Sequence, residues 1–206
     1  MTLIINYGVG NLFSLKSALS CLGVEAQVSG EPEAVRRAER LILPGVGAFG
    51  DAREKLRLNG LDRLLQQEAA SGKPLMGICL GMQLLFDRSF EYGETEGLHL
   101  VPGEVRPIAP FIPKGYKIPH IGWNALRFGD GIGQSEVFKY ISDGDCMYFV
   151  HSFAARGCAA HTIATTEYGV PLTAAVQRDR VFGMQFHPEK SGRAGLNILK
   201  AFCEIQ

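Results

Sequence analysis

Two stretches of this 206-residue chain hold reactive side chains at spacings that chemistry uses. Gly77-Ile78-Cys79-Leu80-Gly81 sets a thiol midway between two glycines. Gly183-Met184-Gln185-Phe186-His187-Pro188-Glu189 places an imidazole two residues before a carboxylate. The first has the spacing of a nucleophile elbow, a strained turn that presents one side chain at the carboxyl end of a strand. Glycine is needed on both sides, where a Cβ would strike the neighbouring backbone. A helix beginning at Leu80 would place its partial positive charge by the sulfur and favour thiolate over thiol. A buried structural cysteine between two packing glycines has the same pattern, and the pentapeptide does not separate the readings.

The second stretch reads as a strand that delivers His187 at its end, where Pro188 stops further pairing. In extended backbone Glu189 falls on the same side as His187. A carboxylate there keeps one ring nitrogen protonated and aims the other at a nucleophile. Together with Cys79 this makes a nucleophile, a general base and an orienter. A third stretch, Pro44-Gly45-Val46-Gly47-Ala48-Phe49-Gly50, has three glycines in seven residues. It reads as a backbone-lined cradle for a developing oxyanion, or as an ordinary turn before a helix. No Gly-Lys-Ser/Thr follows, so it is not a nucleotide-binding P-loop.

Elements able to position these groups are legible along the chain. Leu3-Ile4-Ile5 opens as a buried strand, and Asn11 caps a helix carrying Leu12, Leu15, Leu19 and Leu22 that Gly23 stops. Glu25–Ser29 reads as a strand, Glu33–Ala38 as a short helix and Arg40–Leu43 as a strand. Helices through Leu56 and Leu65 lead to a strand at Pro74–Ile78 and a helix at Leu80–Phe86. This β-α-β-α-β opening predicts a doubly wound, mostly parallel α/β sheet, in which ligands sit at the carboxyl ends of strands. Asp87–Pro119, rich in Gly, Pro and charge, and the short strand-like pieces of Gly122–Asp145 read as an inserted β-region packed on that sheet. Asp145–Phe153, Thr162–Thr166, Pro171–Gln177 and Val181–Phe186 read as strands, the last two as a hairpin, before a closing helix through Ala194, Ile198, Leu199 and Phe202.

Composition narrows the function classes. At 206 residues one domain, 1–206, is expected to bury about 70% of its unfolded surface. Lys+Arg and Asp+Glu both number 21 with no basic run, which argues against nucleic acid or an anionic membrane as partner. The start lacks a basic, cleavable leader, and no apolar run reaches membrane-span length. Five scattered cysteines without a CxxC pair, and five histidines off metal-ligand spacing, predict a reducing cytoplasm and no metal or cofactor.

PGVGAFGDA (44–52), GICLGMQLLF (77–86), PHIGWN (119–124), YFVHSF (148–153) and FGMQFHPEKSG (182–192, with Arg193 following) resemble the class I glutamine amidotransferases. The opening INYGVGNLFSLKSAL and the stretch EGLHLVPGEV extend the likeness over nearly the whole chain. They point toward the glutaminase subunits of imidazole glycerol phosphate synthase. Asn6 stands where that group usually has Asp, and Phe153 where Tyr is common.

The resemblance implies hydrolysis of glutamine by Cys79, His187 and Glu189, with backbone N–H groups of Leu80 and of the Val46-Gly47 loop holding the oxyanion. It assigns Gln83, Glu91 and the backbone around His151, Ser152 and Phe153 to the substrate. It also implies a separate (β/α)₈ cyclase subunit that takes the ammonia, docking over Asn11, His120, Trp123, Asn124 and Lys190. Position at the strand ends and an exposed Trp, which interface hot spots favour, point to the Trp123 loop for that docking. Because the sequence stops at Gln206, the partner is expected to be a separate polypeptide. A thiol peptidase on the same fold and a catalytically inactive regulator remain as other classes.

Overall fold

The computed structural model describes residues 1–128 and 135–205. Its first half alternates strand and helix: β1 (Thr2–Ile5), α1 (Leu12–Cys21), β2 (Ala26–Ser29), α2 (Pro32–Arg37), β3 (Arg40–Leu43), α3 (Phe49–Leu58), α4 (Leu61–Ala70), β4 (Leu75–Ile78) and α5 (Leu80–Leu84). Three strands follow, β5 (Arg88–Ser89), β6 (Thr95–Glu96) and β7 (Glu104–Pro107), then β8 (His120–Arg127), β9 (Cys146–His151) and β10 (Phe153–Arg156). The chain closes with β11 (Thr162–Glu167), β12 (Pro171–Arg178), β13 (Val181–Met184) and α6 (Gly192–Cys203).

Nine strands form one mixed sheet in the order β2-β1-β3-β4-β13-β12-β11-β8-β9. The strands from β2 to β13 in that order pair in parallel, and the remainder is antiparallel. Alternation along each parallel strand feeds two cores. Leu3, Ile5, Leu41, Leu43 and Leu75 pack on one face with residues of α2, α3 and α4. Ile4, Ile42, Met76 and Ile78 pack on the other with residues of α1 and α6. Strands buried on both faces read as unbroken apolar runs, which is why TLII and RLIL are legible without alternation. Each such fully buried side chain contributes about 1.5–3 kcal/mol.

The helix caps follow from side-chain chemistry. The Asn11 side-chain oxygen accepts the Ser14 N–H at 3.3 Å, as its N-cap position predicts. α5 ends at Leu84 rather than Phe86, because the N–H groups of Leu85 and Phe86 turn back to carbonyls three residues earlier, Met82 and Gln83.

The inserted region divides differently from the expectation. β5, β6 and β7 join β10 in a separate four-stranded sheet. β8, by contrast, is an eight-residue strand of the main sheet, pairing His120–Ala125 with Cys146–His151 of β9. Trp123 therefore lies in a strand, not in a glycine-flanked loop. Residues 129–134 of the Gly122–Asp145 stretch lie outside the described residues, as does Gln206. The expected strand through Phe153 ends at His151, and the chain bends at Ser152 so that Phe153–Arg156 pairs with β7. The β12–β13 hairpin forms as expected, turning at Asp179 with φ 52°.

Candidate active site

Strand order decides which loops meet. β1, β3, β4 and β13 are consecutive neighbours, and Leu43 and Met184 flank the β4 pair Gly77–Ile78 in register. Their carboxyl ends carry Tyr7, the Pro44–Gly47 loop, Cys79 and His187. Glycine makes the close approach possible at β4. A Cβ on Gly77 would lie 2.5 Å from the Gly81 carbonyl oxygen, and one on Gly81 would lie 1.9 Å from that of Leu43. Cys79 sits between them at φ 54° and ψ −111°, a conformation that costs a non-glycine residue on the order of 1–3 kcal/mol. That strain turns its side chain into a cavity of about 450 Å³ whose lining includes Val46, Leu80, Gln83, Glu91 and His187.

His187 is buried and its Nδ1 lies 2.9 Å from Glu189 Oε1. The strand end is pinned twice more. The His187 N–H donates to the Tyr148 carbonyl at 3.0 Å, and its own carbonyl accepts the Ser191 hydroxyl at 2.6 Å. Burial works against an imidazolium here. The adjoining Cys79 sulfur and the Glu189 carboxylate outweigh it, and the ring is held up at about 9. Glu189 Oε2 is buried with no hydrogen-bond partner among the described residues. The charge of Glu189 is therefore directed at His187 alone.

The Cys79 sulfur makes two long contacts, donating to the Val150 carbonyl at 3.8 Å and accepting from Gln185 Nε2 at 3.9 Å. α5 is only five residues long, so its dipole is a smaller influence on the thiol than the sequence suggested.

The residues assigned to substrate all reach this cavity: Gln83, Glu91, His151, Ser152 and Phe153 line it beside Val46, Gly47 and Leu80. Gln83 spends its amide nitrogen on the Phe153 carbonyl at 3.1 Å and Gln185 Oε1 at 3.0 Å. One Glu91 oxygen accepts the Phe49 N–H at the start of α3. His151 is buried, with Nδ1 2.8 Å from the Phe153 carbonyl.

The residues assigned to a partner surface divide. Trp123 is 57% exposed, and Lys190 is exposed at the cavity edge. Asn11 is half-buried with its oxygen committed to the helix cap. His120 corrects the expectation, because it is fully buried and its ring stacks on Tyr168 and Phe149. Period-two alternation in β8 turns His120 inward while Ile121 and Trp123 face out. Asn124, half-buried, bonds His120 Nε2 at 2.9 Å and donates to the Glu167 carbonyl.

Sequence reasoning passed over Tyr7, Gln185 and Ser191. Gln185 carried a usable signal, a polar residue inside the apolar run Phe182–Phe186. Tyr7 carried none, since its partner Pro44 lies 37 residues away in sequence, and the longer of Ser191's two contacts, to Tyr148, spans 43.

With this geometry in place, the chain can be set beside known proteins. The model of the family described as "Glutamine amidotransferase class-I" matches residues 3–205. The chain is 50% identical over 205 residues to the imidazole glycerol phosphate synthase subunit HisH of Lacticaseibacillus casei, covering 100% of this chain and 96% of that one. It is 47% identical to the subunit of the same name from Wolinella succinogenes, covering 98% of each. Among solved structures, a glutamine amidotransferase matches with TM-score 0.74 at 21% identity over 98% of both chains. PurLQS from Thermotoga maritima matches with TM-score 0.74 at 19% identity, covering 98% of this chain and 96% of that one. At those identities the two structures speak for the fold alone.

Proposed function

The chain belongs to the class-I glutamine amidotransferase family, and from that premise we propose that it is the glutaminase subunit of an imidazole glycerol phosphate synthase. We read residues 1–206 as a single amidotransferase domain. The observation that carries the reading is the ion-paired His187–Glu189 set against Cys79 in one cavity.

In the reaction, the Cys79 sulfur attacks the side-chain amide carbon of glutamine as a thiolate beside the imidazolium. The C–N bond breaks, and ammonia leaves with the proton of His187, whose elevated affinity keeps it loaded at neutral pH. Water then attacks the thioester, His187 takes its proton, the C–S bond breaks, and glutamate departs with the thiolate–imidazolium pair restored. Glu189 stabilises the charged ring through its 2.9 Å contact. In both steps the developing oxyanion is held by the Leu80 N–H and an N–H of the Val46-Gly47 loop.

Glutamine's own amino and carboxylate groups fit Gln83, Glu91 and the His151–Phe153 backbone. With its nitrogen already engaged, Gln83 offers the cavity an acceptor oxygen suited to an ammonium. Released ammonia is protonated in water and loses its nucleophilicity, so the product is handed directly to a separate cyclase subunit in a cytoplasmic complex. Exposed Trp123, and Lys190 exposed at the cavity edge, support a docking surface for that subunit on this side of the molecule. Measuring glutamine hydrolysis with and without the cyclase, and synthesis from glutamine against synthesis from added ammonia, tests the reading. A chain that releases no glutamate even in the complex sinks it.

A further inference from the structure

The Tyr7 hydroxyl lies 2.7 Å from the Pro44 carbonyl oxygen, and the ring is buried. Pro44 is the first residue beyond β3, whose pairing with β4 ends at Leu43 and Gly77. Its carbonyl has therefore left the ladder and needs another donor, because an unmatched buried carbonyl costs roughly 1–3 kcal/mol. Tyr7 is suited to supply that donor permanently. Burial first, and then the nearby Cys79 charge, push the phenol well above the ordinary tyrosine range, so it keeps its proton at any working pH.

The packing around the loop is tight on one side and open on the other. At Gly10 a Cβ would lie 2.9 Å from the Pro44 ring, and at Gly45 one would lie 2.7 Å from the Gly81 nitrogen. Pro44 and Gly45 are thus held between the first loop of the chain and the start of α5. Past Gly45 the restraint ends. Val46 is 42% exposed, and Gly47, at φ +97°, has nothing within 4 Å of its Cβ position. The loop has a fixed stem and a free tip.

We infer that Tyr7 is a positioning residue for the oxyanion site: by clamping the Pro44 carbonyl it fixes the stem and confines rotation to the Val46–Gly47 peptide. This rests on the reading of Cys79 as nucleophile and of that loop as oxyanion donor. Without the clamp the stem shifts, and the donor misses the oxygen. Misplacement on the order of 1 Å costs about a hundredfold in rate.

The test is Tyr7→Phe in the subunit assembled with its cyclase, a change that keeps the ring and removes only the hydroxyl. The expected result is a roughly ten- to hundredfold fall in kcat for glutamine hydrolysis, with KM for glutamine within about twofold. Affinity for an aldehyde analogue of glutamine, which adds to the thiol and puts an oxygen in the same place, falls in parallel. Affinity for glutamate and synthesis from added ammonia stay at the parent values. A residue that merely stabilises the fold would lower the melting temperature and leave kcat and aldehyde affinity alone, and that outcome overturns the inference. So does a rise in KM at constant kcat. Failure of the underlying reading looks different: there, Cys79→Ser would still hydrolyse glutamine, or the parent complex would not.

Discussion

Nδ1 of His120 lies 3.0 Å from Nε2 of His151, and the two buried rings join a strand bearing exposed Trp123 to the backbone lining the cavity. Their outer nitrogens face acceptors, Asn124 Oδ1 at 2.9 Å and the Phe153 carbonyl at 2.8 Å. Three contacts therefore call for three N–H groups, and two neutral imidazoles supply two. A further proton would complete the set, but burial opposes it. Burial holds His151 down at about 4 against the pull of the Phe153 carbonyl, with His120 and His187 adding repulsion, and it lowers His120 as well. The pair is neutral at neutral pH.

This sets the acid side of the stability profile. His151 binds its proton more weakly folded than unfolded, so stability falls as pH drops from about 6.5 toward about 4. The change amounts to about 3 kcal/mol. His187 has the opposite sign. Raised to about 9, it contributes fully below 6.5 and loses that contribution as pH rises through 9. Denaturant titrations across this range should peak near pH 6.5, and His151→Asn should flatten the acid limb. An acid limb unchanged in that variant would sink the assignment.

Cys79→Ser should abolish glutamine-dependent synthesis and spare synthesis from added ammonia. A glutamine-like electrophile should label Cys79 before Cys21, Cys146, Cys158 and Cys203. Exposure alone predicts the reverse, since Cys21 and Cys146 are exposed and Cys79 is buried. Labelling in order of exposure would remove the claim of an activated thiol.

Glu189→Gln keeps the shape and removes the charge that faces His187. The hydrolysis rate should fall, by less than on removing Cys79 or His187. The alkaline limb of the rate profile should move to lower pH as the imidazolium loses its carboxylate. Full rate with an unmoved limb would demote Glu189 to a packing residue.

Gly81→Ala tests the elbow as architecture. Its Cβ would lie 1.9 Å from the Leu43 carbonyl oxygen, a backbone atom with no room to yield. Expected is a stability loss of several kcal/mol or failure to fold, read by thermal melting. A variant melting with the parent would mean that the close approach is dispensable.

Trp123→Ala and Lys190→Ala, both at exposed positions, should leave the isolated chain folded and weaken cyclase binding or its stimulation of hydrolysis. Titration of the cyclase against each variant measures this. Parental binding and stimulation in both would place the docking surface elsewhere.

Much of this molecule was legible in local sequence. TLII, RLIL and the Asn11 cap specify their elements through short-range burial and capping. The spacing of Gly77, Cys79 and Gly81 specifies a turn that only glycines permit. Glu189 does meet the His187 ring as expected, but through a 3₁₀ turn at Pro188–Lys190 rather than the extended backbone that the spacing assumed. What the tertiary structure decided is which strand ends adjoin. Cys79 and His187 are 108 residues apart and meet because β4 and β13 are neighbours, a pairing set by the packing of both sheet faces. The same holds for Tyr7 on Pro44 and for His120, which local pattern assigned to an outer surface and strand alternation buried against His151. Local rules act over a few residues. Contacts such as these depend on sheet order, which the whole chain determines by burying its apolar surface.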